Sequence, residues 1–138
     1  MKVAFGTDEH TALTDAVRAD LEARGHAVEV VSDGQWVEVG HAVGEAVAGR
    51  RCDTGVLFCW TGTGASIAAN KVPGARAALC TDAATAAGAR TWNDANVLVM
   101  GLRLTSPEVA KEMLDAWFAT DVDADEIDVI AGLEERRG

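Results

Sequence analysis

Proline is scarce in this chain, with only 2 among 138 residues, while 49% of the residues are hydrophobic. That combination excludes a long disordered region, which needs low hydrophobicity. No run of about 18 apolar residues occurs, so no transmembrane span and no membrane partner are expected. Met1-Lys2-Val3-Ala4-Phe5-Gly6 is too short, and too soon interrupted by Asp8 and Glu9, to serve as a signal peptide. A cytoplasmic location is the expectation that remains. Cysteine is sparse as well. Cys52, Cys59 and Cys80 form an odd set without CxxC spacing, which fits free thiols in a reducing compartment rather than a disulfide framework or a zinc site. Basic residues are few, 12 against 22 acidic ones, for a formal net charge of -10. A phosphate-backbone binder needs a basic face, so nucleic acid is excluded as a partner.

What the chain does have is a regular alternation. Its length fits a single domain, residues 1–138. Five short apolar runs recur: Val3 to Phe5, Ala27 to Val31, Gly55 to Cys59, Ala77 to Cys80, and Asn96 to Met100. They are continuous rather than alternating, as in strands buried on both faces. Helical patterns lie between them. Leu13, Val17 and Leu21 share one face, with Gly25 as a stop. Val39, Val43 and Val47 repeat the pattern up to Gly49. A short helix is expected over Ser66 to Lys71, an alanine-rich one over Ala83 to Thr91, and one from Ser106-Pro107 through Phe118. A last helix is expected from about Asp125 to Arg137. The pattern predicts an α/β fold, a three-layer αβα sandwich on a five-stranded parallel Rossmann-like sheet with a C-terminal helix. Ligands in such folds sit beyond the carboxyl ends of the strands, at the point where strand order reverses.

The strongest local signal follows the third strand, in Cys59-Trp60-Thr61-Gly62-Thr63-Gly64-Ala65-Ser66. Glycines there let the backbone turn sharply and expose successive N–H groups, and the helix that follows adds its own unpaired donors. Such a turn suits a phosphate or a developing enolate oxygen. Cysteines at the mouth of such turns can serve as bases or nucleophiles, which makes Cys59 a candidate for either role. A plain strand-to-helix turn around a buried structural cysteine is the alternative. A dinucleotide fingerprint would need glycine at Ile67, and no Walker loop is present.

Cys59 through Lys71, ending Ser66-Ile67-Ala68-Ala69-Asn70-Lys71, resembles the signature of the ribose-5-phosphate isomerase B and galactose-6-phosphate isomerase family. Phe5-Gly6-Thr7-Asp8, Pro73-Gly74-Ala75-Arg76-Ala77, Arg90 to Leu98, Gly101-Leu102-Arg103 and Asp115-Ala116-Trp117 resemble further blocks of it, so the likeness spans nearly the whole chain. The resemblance implies a homodimer, or a tetramer built from it, with active sites at the subunit interface. It implies aldose–ketose isomerisation of a small-molecule sugar or sugar phosphate through a cis-enediolate, without metal or organic cofactor. Carried over by position, Cys59 is the base between C1 and C2 and Thr61 assists proton transfer. Backbone N–H groups of Gly62, Thr63, Gly64, Ala65 and Ser66, with Asn93, stabilise the enediolate, and Asp8 holds sugar hydroxyls. His10 and Arg103 are candidates for the phosphate, and Glu9, Trp60 and Trp92 line the site.

Four departures from the family pattern stand out. Glu9 intervenes between Asp8 and His10, so His10 either takes the family histidine's phosphate role from a shifted place or faces solvent. Trp92 stands where the family has its ring-opening histidine, and an indole cannot shuttle a proton at neutral pH. Asp121-Val122-Asp123-Ala124-Asp125-Glu126 replaces a segment that in the family supplies arginines to the phosphate, and carboxylates repel a dianion. Arg136 and Arg137 fall at the very end, where a surface role is the default. The loop before the second helix, Gly34-Gln35-Trp36-Val37-Glu38, is short and leads into Gly40-His41, with His41 either a replacement site histidine or a helix-start surface residue. The leading expectation is therefore an isomerase with the Cys59 base, acting on a pentose or hexose phosphate or on an altered, unphosphorylated sugar. The alternative is a family member that kept the pocket and lost turnover, a small-molecule binding module.

Overall fold

The computed structural model describes residues 1–135, so Arg136 and Arg137 lie outside the described residues. Strands and helices alternate as β1 (Lys2–Thr7), α1 (Ala12–Ala23), β2 (Ala27–Ser32), α2 (Trp36–Ala48), β3 (Thr54–Cys59) and α3 (Thr63–Asn70). They continue as β4 (Ala77–Leu79), α4 (Ala83–Asn93), β5 (Val97–Gly101) and α5 (Pro107–Ala119). A 3-10 turn (Ala124–Glu126) then leads into α6 (Ile127–Glu135). All strand pairs are parallel, in the order β2-β1-β3-β5-β4. Strand order reverses at β1 and β3, so the carboxyl ends of those two strands form the switch point.

Successive residues of a strand point to opposite faces, and the sheet accordingly separates two cores. Val3, Phe5, Val56, Phe58, Leu98 and Met100 pack against α1, α4 and α5. Ala4, Leu57, Cys59, Val97 and Val99 pack against α2 and α3. This is the three-layer sandwich the alternating pattern predicts. Burial on both faces holds for β1, β3 and β5, but the outer strands β2 and β4 are half-exposed. Each has one neighbour only, and β2 carries Glu29, which pairs with Lys2 at 3.3 Å.

Helix boundaries differ from the sequence expectation at three points. α2 begins at Trp36, so Trp36, Val37 and Glu38 form its first turn rather than a loop, and His41 sits in the second turn. α3 begins at Thr63, three residues early. α4 runs on through Trp92 and Asn93, stopped by Asp94 in the left-handed conformation (φ +46°). The Asp94 carboxylate accepts from Arg76 at 3.2 Å and Arg90 at 3.0 Å, which holds that conformation in place.

Candidate active site

Thr7 ends β1 fully buried. Its hydroxyl donates to the Glu9 carbonyl at 2.6 Å and accepts the Glu9 N–H at 3.3 Å. This closes the Asp8–His10 turn over the carboxyl end of the strand. Asp8 is half-buried there, and the pKa of its carboxyl is raised from its ordinary value. Burial is the main cause, its own backbone N–H opposes the shift, and the charge of Glu9 adds to it. Glu9 and His10 are exposed, and the His10 ring is held by Asp33, Nε2 to Oδ2 at 3.2 Å.

Thr7 pairs in register with Phe58, and Cys59 with Gly101. The end of β3 is thus flanked by the turn after β1 on one side and by the residues after β5 on the other. The Cys59 carbonyl accepts the Leu102 N–H at 2.9 Å, and the Trp60 carbonyl accepts the Arg103 N–H at 2.9 Å. Arg103 therefore stands at the same edge as Cys59. It is exposed and makes no ion pair among the described residues. Cys59 itself is 6% exposed and packs in the α2–α3 core with Ala65. Trp60 is 55% exposed, pointing away from that core.

The turn after Trp60 is fixed by its glycines. Gly62 caps α3 with φ +79°, a conformation that L side chains rarely adopt. A Cβ there would also meet Leu79 Cδ1 at 2.5 Å. The Thr61 and Thr63 hydroxyls lie 2.8 Å apart across the turn. No side chain caps α3. The N–H groups of Gly62, Thr63, Gly64 and Ala65 have no acceptor among the described residues, as expected for an uncapped first turn. Ser66 is different: its N–H donates to the Gly62 carbonyl at 3.1 Å. The expectation that Ser66 supplies a fifth backbone donor is corrected accordingly.

Trp92 and Asn93 are not brought to this edge within one protomer. α4 runs antiparallel to the strands, so its last turn lies at their amino ends, where the Gly55 N–H donates to the Asn96 carbonyl. The length of β3, about 17 Å at the usual rise per residue, separates that edge from Cys59. Trp92 folds back on its own helix, where a Cβ at Gly88 would stand 2.6 Å from Trp92 Cζ3. The acidic segment lies at the same distant edge, since the Asp123 N–H donates to the Thr91 carbonyl at 2.9 Å. A cavity of about 710 Å³ there is lined by Asn93, Asn70, Lys71, Pro73 and Leu133, and another of about 340 Å³ lies around Arg76, Arg90 and Trp117. Neither is lined by Cys59.

Asp33, which holds His10, is among the residues just after a strand that the fold pattern points to, whereas Trp36, which lies on Gly64, is a neighbour of the site that the sequence does not single out. Trp36 belonged to a segment read as loop, which concealed its place at a helix start. Among the described residues, no helix is long and apolar enough to cross a membrane.

Fold and site together define a doubly wound α/β protein with an uncapped glycine turn and a cysteine at its switch point. A family model described as Ribose/Galactose Isomerase matches residues 3–129. The chain is 38% identical over 149 aligned residues to ribose-5-phosphate isomerase B of Escherichia coli (strain K12), covering 99% of this chain and 98% of that protein. It is 42% identical over 82 residues to a D-erythrulose-4-phosphate isomerase of Pectobacterium atrosepticum, covering 59% and 54%. The structure of ribose-5-phosphate isomerase B from Clostridium thermocellum matches with a TM-score of 0.90 at 33% identity, over 98% of this chain and 96% of that one. The chain belongs to the Ribose/Galactose Isomerase family, whose named members among these relatives are sugar phosphate isomerases.

Proposed function

We propose that this protein is an aldose–ketose isomerase that works through a cis-enediolate, with Cys59 as its base. The observation that carries this reading is the set of unpaired N–H groups from Gly62 to Ala65, directly after Cys59 at the switch point. The Cys59 thiolate takes the proton from C2 of the open-chain aldose, and the electron pair left behind forms the enediolate. The thiol then returns the proton to C1. The Thr61 hydroxyl moves a proton between the two substrate oxygens. Preorganised N–H donors stabilise the negative oxygen as it forms, a contribution of about 3–4 kcal/mol per donor in comparable sites. Asp8 binds sugar hydroxyls, with Glu9 and Trp60 beside it.

The substrate class is a small sugar phosphate, in keeping with relatives named for ribose 5-phosphate and erythrulose 4-phosphate. Arg103, without an ion pair at the site edge, is the first cation available for a phosphate, and His10, on the other side of the end of β3, is the second candidate. The acidic segment 121–126, which would repel a phosphate dianion, is the one feature that supports the other substrate, an unphosphorylated sugar. The protein acts as a cytoplasmic homodimer of single-domain chains. Asn93 and Trp92 lie at the far edge of their own sheet, so they serve the reaction from the partner subunit's α4, and the acidic segment bonded to Thr91 travels with them.

The test is incubation in heavy water with ribose 5-phosphate, erythrulose 4-phosphate, and free pentoses and hexoses, following C1–H and C2–H exchange by NMR. Exchange with any of them supports the enediolate, and comparing phosphorylated with free sugars shows whether phosphate matters. A second reading, a binding module without turnover, is favoured by one observation: Trp92 at the place of the ring-opening histidine. No exchange with any sugar would move the assignment there. Trp92→His raises turnover of cyclic sugar phosphates if ring opening is the missing step.

A further inference from the structure

Trp36 opens α2 and lies against the donor turn. A Cβ built on Gly64 would stand 2.8 Å from Trp36 Cε3 and 3.1 Å from Cδ2 and Cζ3. The six-membered ring of the indole therefore covers the α2 side of the first turn of α3, where the Gly64 N–H is unpaired. Its position is fixed by the helix pair. Gly40 and Gly44 follow at four-residue spacing, and they bring α2 so close to α3 that a Cβ at either would press on the Ala65 or Ala69 carbonyl, at 2.7 and 3.0 Å. Residues four apart share a helix face, so Trp36 prolongs this contact stripe to the level of the oxyanion turn. It rides on a packed helix rather than on a loop.

Exposure separates Trp36 from an ordinary core tryptophan. Trp117 is 3% exposed and donates its indole N–H to Thr54 at 3.1 Å, whereas Trp36 is 43% exposed. One part of its ring is packed on the turn and the rest faces the open edge.

We infer that Trp36 is a positioning residue for the isomerisation, which excludes water from the donor turn and holds Gly64 so that its N–H aims at the developing oxygen. The inference rests on the enediolate reading. Donors in a dry, fixed site stabilise a developing charge far more than donors in water. The ring takes no part in proton transfer; it acts through the turn it covers.

The test uses the full chain and the variants Trp36→Ala, Trp36→Leu and Trp36→Phe. Each is assayed for kcat and KM on the sugar that shows exchange. Binding is measured for two probes of the same carbon skeleton: a hydroxamate, which mimics the planar anionic enediolate, and a sugar alcohol, which lacks the oxyanion. In Trp36→Ala, kcat is expected to fall about tenfold, a part of what a lost donor costs. Hydroxamate affinity should fall by the same factor, while KM and sugar-alcohol affinity hold. Trp36→Phe keeps a flat apolar face and should recover most of the loss. An unchanged kcat, a rise in KM alone, or equal weakening of both probes would overturn the inference. Should Trp36→Ala fail to fold by circular dichroism, the same comparison between Trp36→Leu and Trp36→Phe decides it. A wild-type protein that exchanges no proton with any sugar removes the enediolate reading and this inference with it. An active wild type with unaltered variants removes the inference alone.

Discussion

Thr61 and Gly101 meet backbone to backbone: a Cβ at position 101 would stand 2.8 Å from the Thr61 carbonyl oxygen and 3.0 Å from its carbonyl carbon. The end of β5 thus presses directly on the turn that carries the proposed proton-transfer hydroxyl. Gly101→Ala must push that turn outward, because the obstacle is backbone and cannot rotate away. Displacements of around 1 Å at reacting groups cost about 100-fold. Gly101→Ala is expected to lower kcat by one to two orders of magnitude, about 10- to 100-fold, while circular dichroism still shows the folded α/β protein. Wild-type turnover in this variant would mean that the placement of Thr61 does not matter.

The three thiols are all buried, but they are not equivalent. Burial, with the charge of Asp82 adding to it, pushes the Cys80 thiol up to about 11. Burial also raises Cys52, and so do the charge of Glu29 and its hydrogen bond, with Sγ 3.6 Å from Glu29 Oε2. Neither offers thiolate at neutral pH. Iodoacetamide at pH 8 is expected to modify Cys59 first, and a bound sugar phosphate to slow that reaction. Peptide mapping that finds Cys52 or Cys80 modified first would contradict this.

Asp8 carries a stability signature of its own. Its folded pKa lies above the unfolded value, with burial as the main cause. The protonated form is therefore the one the fold favours. The stabilising contribution is complete below the unfolded pKa and is lost as pH rises through the folded one. At neutral pH Asp8 is consequently a cost retained for its position at the site. Asp8→Asn is expected to melt no lower than wild type at pH 7. Its advantage should shrink as pH is lowered below the carboxylate range, while activity falls. The check is the difference in Tm between the two proteins across pH; a variant less stable than wild type at pH 7 would contradict it.

Much of this was legible in the chain itself, for identifiable reasons. β1, β3 and β5 read correctly because both faces are buried, and a continuous apolar run marks that condition. β2 and β4 read as buried too, because a short run such as Ala77-Ala78-Leu79 does not say how many neighbours it has. Gly62 and Gly64 announced the turn. What they could not announce was the use of each N–H, and the donor at Ser66 is consumed because α3 starts at Thr63 and closes its first turn onto Gly62. Asn93 illustrates a different gap. Its likeness to the family motif points to the site, yet within the chain α4 carries it to the opposite edge of the sheet, a placement that depends on the direction of the helix and not on the motif. Trp36 was hidden by a helix that starts without a side-chain cap at Gln35, leaving no sequence signal for its first turn.

The most direct test of the account is proton exchange in heavy water by wild type and Cys59→Ala, side by side, with ribose 5-phosphate and erythrulose 4-phosphate. Wild type is expected to exchange the C1 or C2 proton of at least one of them. Cys59→Ala should be folded and should bind the sugar, but exchange nothing above the uncatalysed rate. Full exchange by Cys59→Ala would contradict the assignment of Cys59 as the base.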